Sequence, residues 1–142
     1  MAITLTTKLI LDNSDQYDVE IIRRLNLSKK NISIIFNSLQ SCINLVYLDL
    51  SYNLITKIEG FDSLVKLEHL DLSFNQIRLI GIILHGYSFN YRLSIMTLFL
   101  FIAFLESLSG LQCLKRLNLI GNEITSFENL KELSYVSKLW YN

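Results

Sequence analysis

The 142-residue sequence has only two cysteines, two histidines and no excess of charge of either sign. Thirteen Lys and Arg balance thirteen Asp and Glu, so no net field draws the chain to nucleic acid or to an anionic membrane surface. Residues Met1 to Ser14 lack the basic start and long apolar run of a secretory signal. There is no Gly-rich phosphate loop, no H-E-x-x-H and no paired-cysteine spacing. His69 could be drawn with Asp71 as a base and its orienting carboxylate, but no nucleophile sits at a strained turn. Acidic residues are scattered rather than convergent. Catalytic residues, a metal, a cofactor and a small-molecule substrate are therefore not expected.

What the chain does have is a comb of leucines. Leu67 to Ile77 reads L-x-x-L-x-L-x-x-N-x-I, with copies at Leu45 to Ile55 and Leu114 to Ile124. Leu48/Leu50, Leu70/Leu72 and Leu117/Leu119 alternate with polar residues, the pattern of a short strand with one apolar face. A single strand of this kind cannot bury its leucines, whereas copies stacked side by side share an interior. The expected class is an α/β solenoid: a short parallel concave sheet with 3-10 or helical turns on the convex side. Strands are expected near 24–28, 47–51, 69–73, 116–120 and 138–141. Asn53, Asn75 and Asn122 close the copies where the backbone leaves the sheet, and a buried amide there can satisfy the turn.

Residues 1–24 read as an N-terminal cap, at least partly helical, covering the open end of the repeats in 25–142. The first repeat, from Leu25, is one residue longer than the 22 separating Leu48 from Leu70, and Lys30 stands in its Asn slot. In the return halves Ile58, Phe61, Leu64 and Leu67 recur every third residue, as do Phe36, Leu39, Cys42 and Leu45, and Ile124, Phe127, Leu130 and Leu133 are the expected core of the repeat from Leu117. Cys42 thus occupies an apolar slot and Cys113 a polar one. Two cysteines make no disulfide framework, and a reducing cytoplasmic or nuclear compartment is expected. Asn26-Leu-Ser and Asn31-Ile-Ser match the glycosylation sequon but read as polar repeat positions.

Leu70 and Leu117 are 47 residues apart, and removing Gly81 to Leu105 restores the 22-residue spacing. This insert, 81–105, is apolar and lacks repeat character. Its stretch Leu93 to Leu105 is thirteen residues without a charge, against about 20 for a membrane-spanning helix. A span is thus not expected, which leaves a helix folded back on the convex face, an interfacial segment, or translated non-coding sequence. Leu139 begins a fifth strand, and the chain stops inside it at Asn142, so the sequence reads as a fragment or truncated product. Apolar surface and a strand edge there would be exposed unless Trp140, Tyr141 or a partner covers them.

The period, the strand motif and the I-x-x-F/L-x-x-L return half resemble leucine-rich repeats. They resemble the 22-residue subclass typified by the protein phosphatase-1 regulatory leucine-rich-repeat protein. That subclass also takes in the spliceosomal A-prime protein, acidic nuclear phosphoproteins and several axonemal or ciliary proteins. The opening Leu5-Thr-Thr-Lys-Leu-Ile, with Gln16-Tyr17 and Arg24-Leu-Asn-Leu27, is similar to the cap of the A-prime protein and of small repeat-only proteins. The resemblance covers Leu25 to Ile80 and Glu106 to Tyr141, and fails at the insert.

Residues flanking the strand leucines point away from the core onto the concave face. One column is Arg24, Tyr47, His69 and Arg116; the next is Asn26, Asp49, Asp71 and Asn118. With Tyr52 and Phe74 they form a mixed aromatic and charged patch, the make-up of interface hot spots. The expected function is a non-catalytic, intracellular protein-binding adaptor or regulatory subunit, cytoplasmic, nuclear or ciliary. The alternatives are a subunit of an RNA-associated complex without direct nucleic-acid contact, as the A-prime likeness implies, and a membrane-associated scaffold using the insert.

Overall fold

A computed structural model describes residues 1–78, 108, 110–124 and 136–141. The insert 81–105 and the expected core positions Phe127, Leu130 and Leu133 lie outside the described residues. The leucine comb produces strands of three residues each: β2 (Arg24–Asn26), β4 (Tyr47–Asp49), β5 (His69–Asp71), β6 (Arg116–Asn118) and β7 (Lys138–Trp140). They are shorter than the four- and five-residue stretches expected. All pair in parallel, in the order β2-β4-β5-β6-β7, with Leu25, Leu48, Leu70, Leu117 and Leu139 side by side. Leu48, Leu50, Leu70, Leu72, Leu117 and Leu119 are buried, while Tyr47 and Asp49 stand half-covered on the other face. Burial of each leucine contributes roughly 1.5–3 kcal/mol, and only the stack provides the cover.

The return halves are chains of i→i+3 turns rather than continuous helices. The amide of Cys42 donates to Leu39 and that of Leu45 to Cys42. Leu64 donates to Phe61 and Leu67 to Leu64, and Leu111 and Leu114 repeat the arrangement. Each turn brings its third residue inward, so Leu39, Cys42, Leu45, Phe61, Leu64 and Leu67 are completely buried.

One expected core position is wrong. Phe36 is 63% exposed, and its neighbour Ile35 is buried instead. The extra residue of the first repeat is absorbed in left-handed backbone at Asn31 (φ +58°), and Phe36 is itself left-handed (φ +48°), which turns its ring outward. Gly60 packs against this bend: a Cβ there would lie 1.9 Å from the Phe36 carbonyl oxygen. A side chain at position 60 would force the two return halves apart.

The cap contains β1 (Ile3–Thr4), α1 (Thr7–Asp12) and a 3-10 turn (Val19–Ile21). Thr6 caps α1 by accepting the Leu9 amide, and Asp18 caps the 3-10 turn by accepting that of Glu20. Not foreseen was the pairing of β1 with β3 (Ile32–Ile34), which ties the cap to the return half of the first repeat. Leu5, Ile10 and Ile22 are buried beneath it.

The closing asparagines act as rungs. Asn75 donates to the carbonyls of Leu50, Leu72 and Ser73 and accepts the Ile55 amide. Asn53 does the same for Leu27, Leu50 and Ser51, and its oxygen accepts from both Lys30 and Ile32. It therefore serves the first repeat, which has lysine in that slot. Asn122 donates to Leu72 and Leu119 and accepts from Ile77, so the ladder continues across the position of the insert.

Two outcomes follow for stability. Asn75→Ala strands four backbone groups, one of them a buried amide, and is expected to cost roughly 3 kcal/mol by denaturant unfolding. Asn122→Ala, at a half-buried rung, is expected to cost less. Deleting Gly81 to Leu105 should preserve a single cooperative transition with an undiminished midpoint, since β5 and β6 already pair in the standard register. A lowered midpoint would show that the insert supports the solenoid.

Candidate functional site on the concave sheet

The in-register strands set the outward residues in two columns. The first runs Arg24, Tyr47, His69, Arg116 and Lys138. The Arg24 guanidinium carbon lies 4.5 Å from the Tyr47 ring centroid, and the Tyr47 and His69 rings are 6.1 Å apart and tilted. Burial, reinforced by the carboxylates of Asp49 and Asp71, pushes the Tyr47 phenol up, with Arg24 opposing. Burial and then Arg116 push the His69 imidazole down, against the pull of Glu68. Glu68 itself is held low by its hydrogen bond to Lys115, 2.9 Å away.

The second column runs Asn26, Asp49, Asp71, Asn118 and Trp140. In its first four members a side-chain oxygen accepts the amide two residues on: Ser28, Ser51, Ser73 and Ile120, at 2.8 to 3.2 Å. These residues terminate the strands by the local turn that Asn and Asp favour. Asp71 is the most committed. One oxygen also takes the Ser73 hydroxyl at 2.6 Å, and the other takes the Asn118 amide at 3.0 Å. Asp71 therefore does not orient His69, whose carboxylate neighbour is Glu68 at 4.0 Å.

Tyr52 and Phe74 form a separate patch beyond the strand ends. Both are left-handed (φ +54° and +52°), and their rings stack 4.4 Å apart at 13°. Lys29, also left-handed, sits with its ammonium 5.3 Å from the Tyr52 ring centroid, and Gly121 continues the column. A Cβ at Gly121 would lie 2.6 Å from the Phe74 ring, which needs the space glycine leaves. The sequence grouped Tyr52 and Phe74 with Tyr47; alternation cannot show that the backbone reverses hand between them.

Between the columns lies a hollow of about 250 Å³, lined by Tyr47, His69, Asp71, Arg116, Asn118 and Trp140, with Leu70 and Ile120. Trp140 was missed as a site residue. Its signal was available, since it falls 22 residues after Asn118, in the same column. Among the described residues no three His, Cys, Asp or Glu side chains converge as metal ligands, and no helix is long and apolar enough to cross a membrane.

Parallel three-residue strands, chained turns and an asparagine ladder define a leucine-rich-repeat solenoid. The family model described as Leucine Rich repeats (2 copies) matches residues 43–84. Among solved structures the chain is similar to internalin C2 of Listeria monocytogenes, with 20% identity and a TM-score of 0.54, covering 85% of this chain. It is also similar to an internalin (inlF) of the same organism, with 17% identity and a TM-score of 0.53, covering 98% of this chain. The matches span 52% and 38% of those two proteins. At such identities the likeness shows the fold. Comparison with curated protein sequences gives no match.

The electrostatics of the hollow can be read by NMR. His69 should titrate below its ordinary value of 6.5, and Arg116→Gln should raise its pKa part of the way back, because burial remains. The folded chain resists protonating His69, so the unfolded chain takes up the proton first as pH falls below 6.5. Stability should decline through the window between the ordinary and the lowered value. A His69 pKa above 6.5 would contradict this geometry.

Proposed function

We propose that the chain is a non-catalytic protein-binding module, an intracellular adaptor or regulatory subunit that holds its partner on the concave sheet. Leucine-rich repeats generally mediate protein–protein interaction, through the extended concave surface that stacking creates. One observation carries the assignment to this face. Tyr47, Arg116 and Trp140, of the residue types that dominate interface energetics, surround one hollow on a rigid sheet. The 22-residue period supports placing the chain with the subclass typified by the protein phosphatase-1 regulatory leucine-rich-repeat protein. An exposed free thiol at Cys113 supports a reducing compartment, cytoplasmic or nuclear. Asp49 and Asp71 in the middle of the face disfavour direct contact with RNA phosphates.

The aspartates terminate strands, so the test replaces residues that do not. In affinity capture from native extract, Tyr47→Ala combined with Trp140→Ala should abolish recovery of the bound proteins, each change weakening binding by roughly thirtyfold. Tyr17→Ala, in the exposed part of the cap, should recover the same set, and all variants should unfold at similar denaturant concentrations. Unchanged recovery by the double variant would remove the concave face from the assignment.

A further inference from the structure

We infer that the hollow receives an acidic side chain of a partner polypeptide on Arg116, with the partner's adjoining apolar side chain seated between Tyr47 and Trp140. This rests on the concave-face reading and names the chemistry of its partner.

Arg116 is the one Lys or Arg among the residues lining the hollow. Among the described residues Arg24 stacks over Tyr47, Lys115 pairs with Glu68, and Arg78 pairs with Glu123. Arg116 is exposed on the sheet and forms no ion pair among the described residues. Asp71, the carboxylate that lines the same hollow, has both oxygens engaged by Ser73 and Asn118. Lys138, also exposed, stands beside Arg116 in register and adds charge of the same sign. The hollow thus offers a guanidinium with no ion-pair partner among the described residues, whose planar fork matches a carboxylate in two parallel hydrogen bonds.

The remaining surface is apolar and accessible: Trp140 is 40% exposed and Ile120 37%. A carboxylate beside an aromatic or branched aliphatic side chain satisfies both halves. Asp49 and Asp71 in the next column oppose any anion here, and they oppose a phosphate dianion more than the single charge of a carboxylate.

The test is selection of displayed random peptides on the full chain, followed by measurement of the enriched peptides. They are expected to share a Glu or Asp next to an aromatic or branched residue. Changing that Glu to Gln, or Arg116→Gln in the protein, should each weaken binding roughly tenfold, and the two together little more than either alone. Arg116→Glu should restore binding to a peptide carrying Lys in place of Glu. Peptides that require Tyr47 but ignore Arg116 would overturn the carboxylate inference and leave the concave-face reading standing. Peptides indifferent to Tyr47 as well, or no enrichment over bare support, would count against both. Tighter binding when phosphoserine replaces the Glu would overturn the choice of carboxylate.

Discussion

The structure depends on register. Five strands of three residues have too few hydrogen bonds to choose their own alignment. The alignment is instead imposed by leucines that must all face one interior. A slip of one residue in any strand would carry its leucine to the concave face and bring a Tyr, His, Arg or Lys into the core. Because the penalty falls on every repeat at once, the columns on the outer face are as well ordered as the core beneath them. A binding surface on such a sheet inherits its precision from leucines it never touches.

Satisfying the backbone at the strand ends is the second half of the same problem. Each strand stops after three residues, which leaves carbonyls and amides at the edge of a dry interior, where an unpaired group is costly. The asparagine rungs solve this for neighbouring repeats together, and Asn53 reaches far enough to cover a repeat that has no rung of its own. The joint solution also explains why an insertion between β5 and β6 is compatible with the fold. Asn122 finds its partners at Leu72 and Ile77 whatever length of chain intervenes, and closing a longer loop adds little entropy.

The comb, the rungs and the positions of all five strands were legible because they repeat: a residue type recurring at a fixed offset says where it must sit. What was not legible depends on single events. The left-handed turn at Phe36 puts its ring in solvent and Ile35 in the core, and triplet spacing cannot reveal a change of backbone hand. The pairing of β1 with β3 joins segments about thirty residues apart that share no motif. The single patch inferred for Tyr47, Tyr52 and Phe74 divides in two for the same reason, since the left-handed column Lys29, Tyr52, Phe74 and Gly121 lies past the end of the alternation.

The concave face therefore holds two kinds of polar residue that composition cannot separate. Asn26, Asp49, Asp71 and Asn118 are consumed, wholly or in part, in ending their own strands, and replacing them would disturb the sheet before it disturbed any partner. Tyr47, Arg116 and Trp140 end nothing and share one hollow. Energetic hot spots are enriched in Trp, Tyr and Arg seated in pockets that lose their water on binding. By that criterion the candidate partner contacts of this sheet are a subset of its outward column positions. The acidic residues that look most like a recognition motif in the sequence are mainly the means by which the face is held in shape.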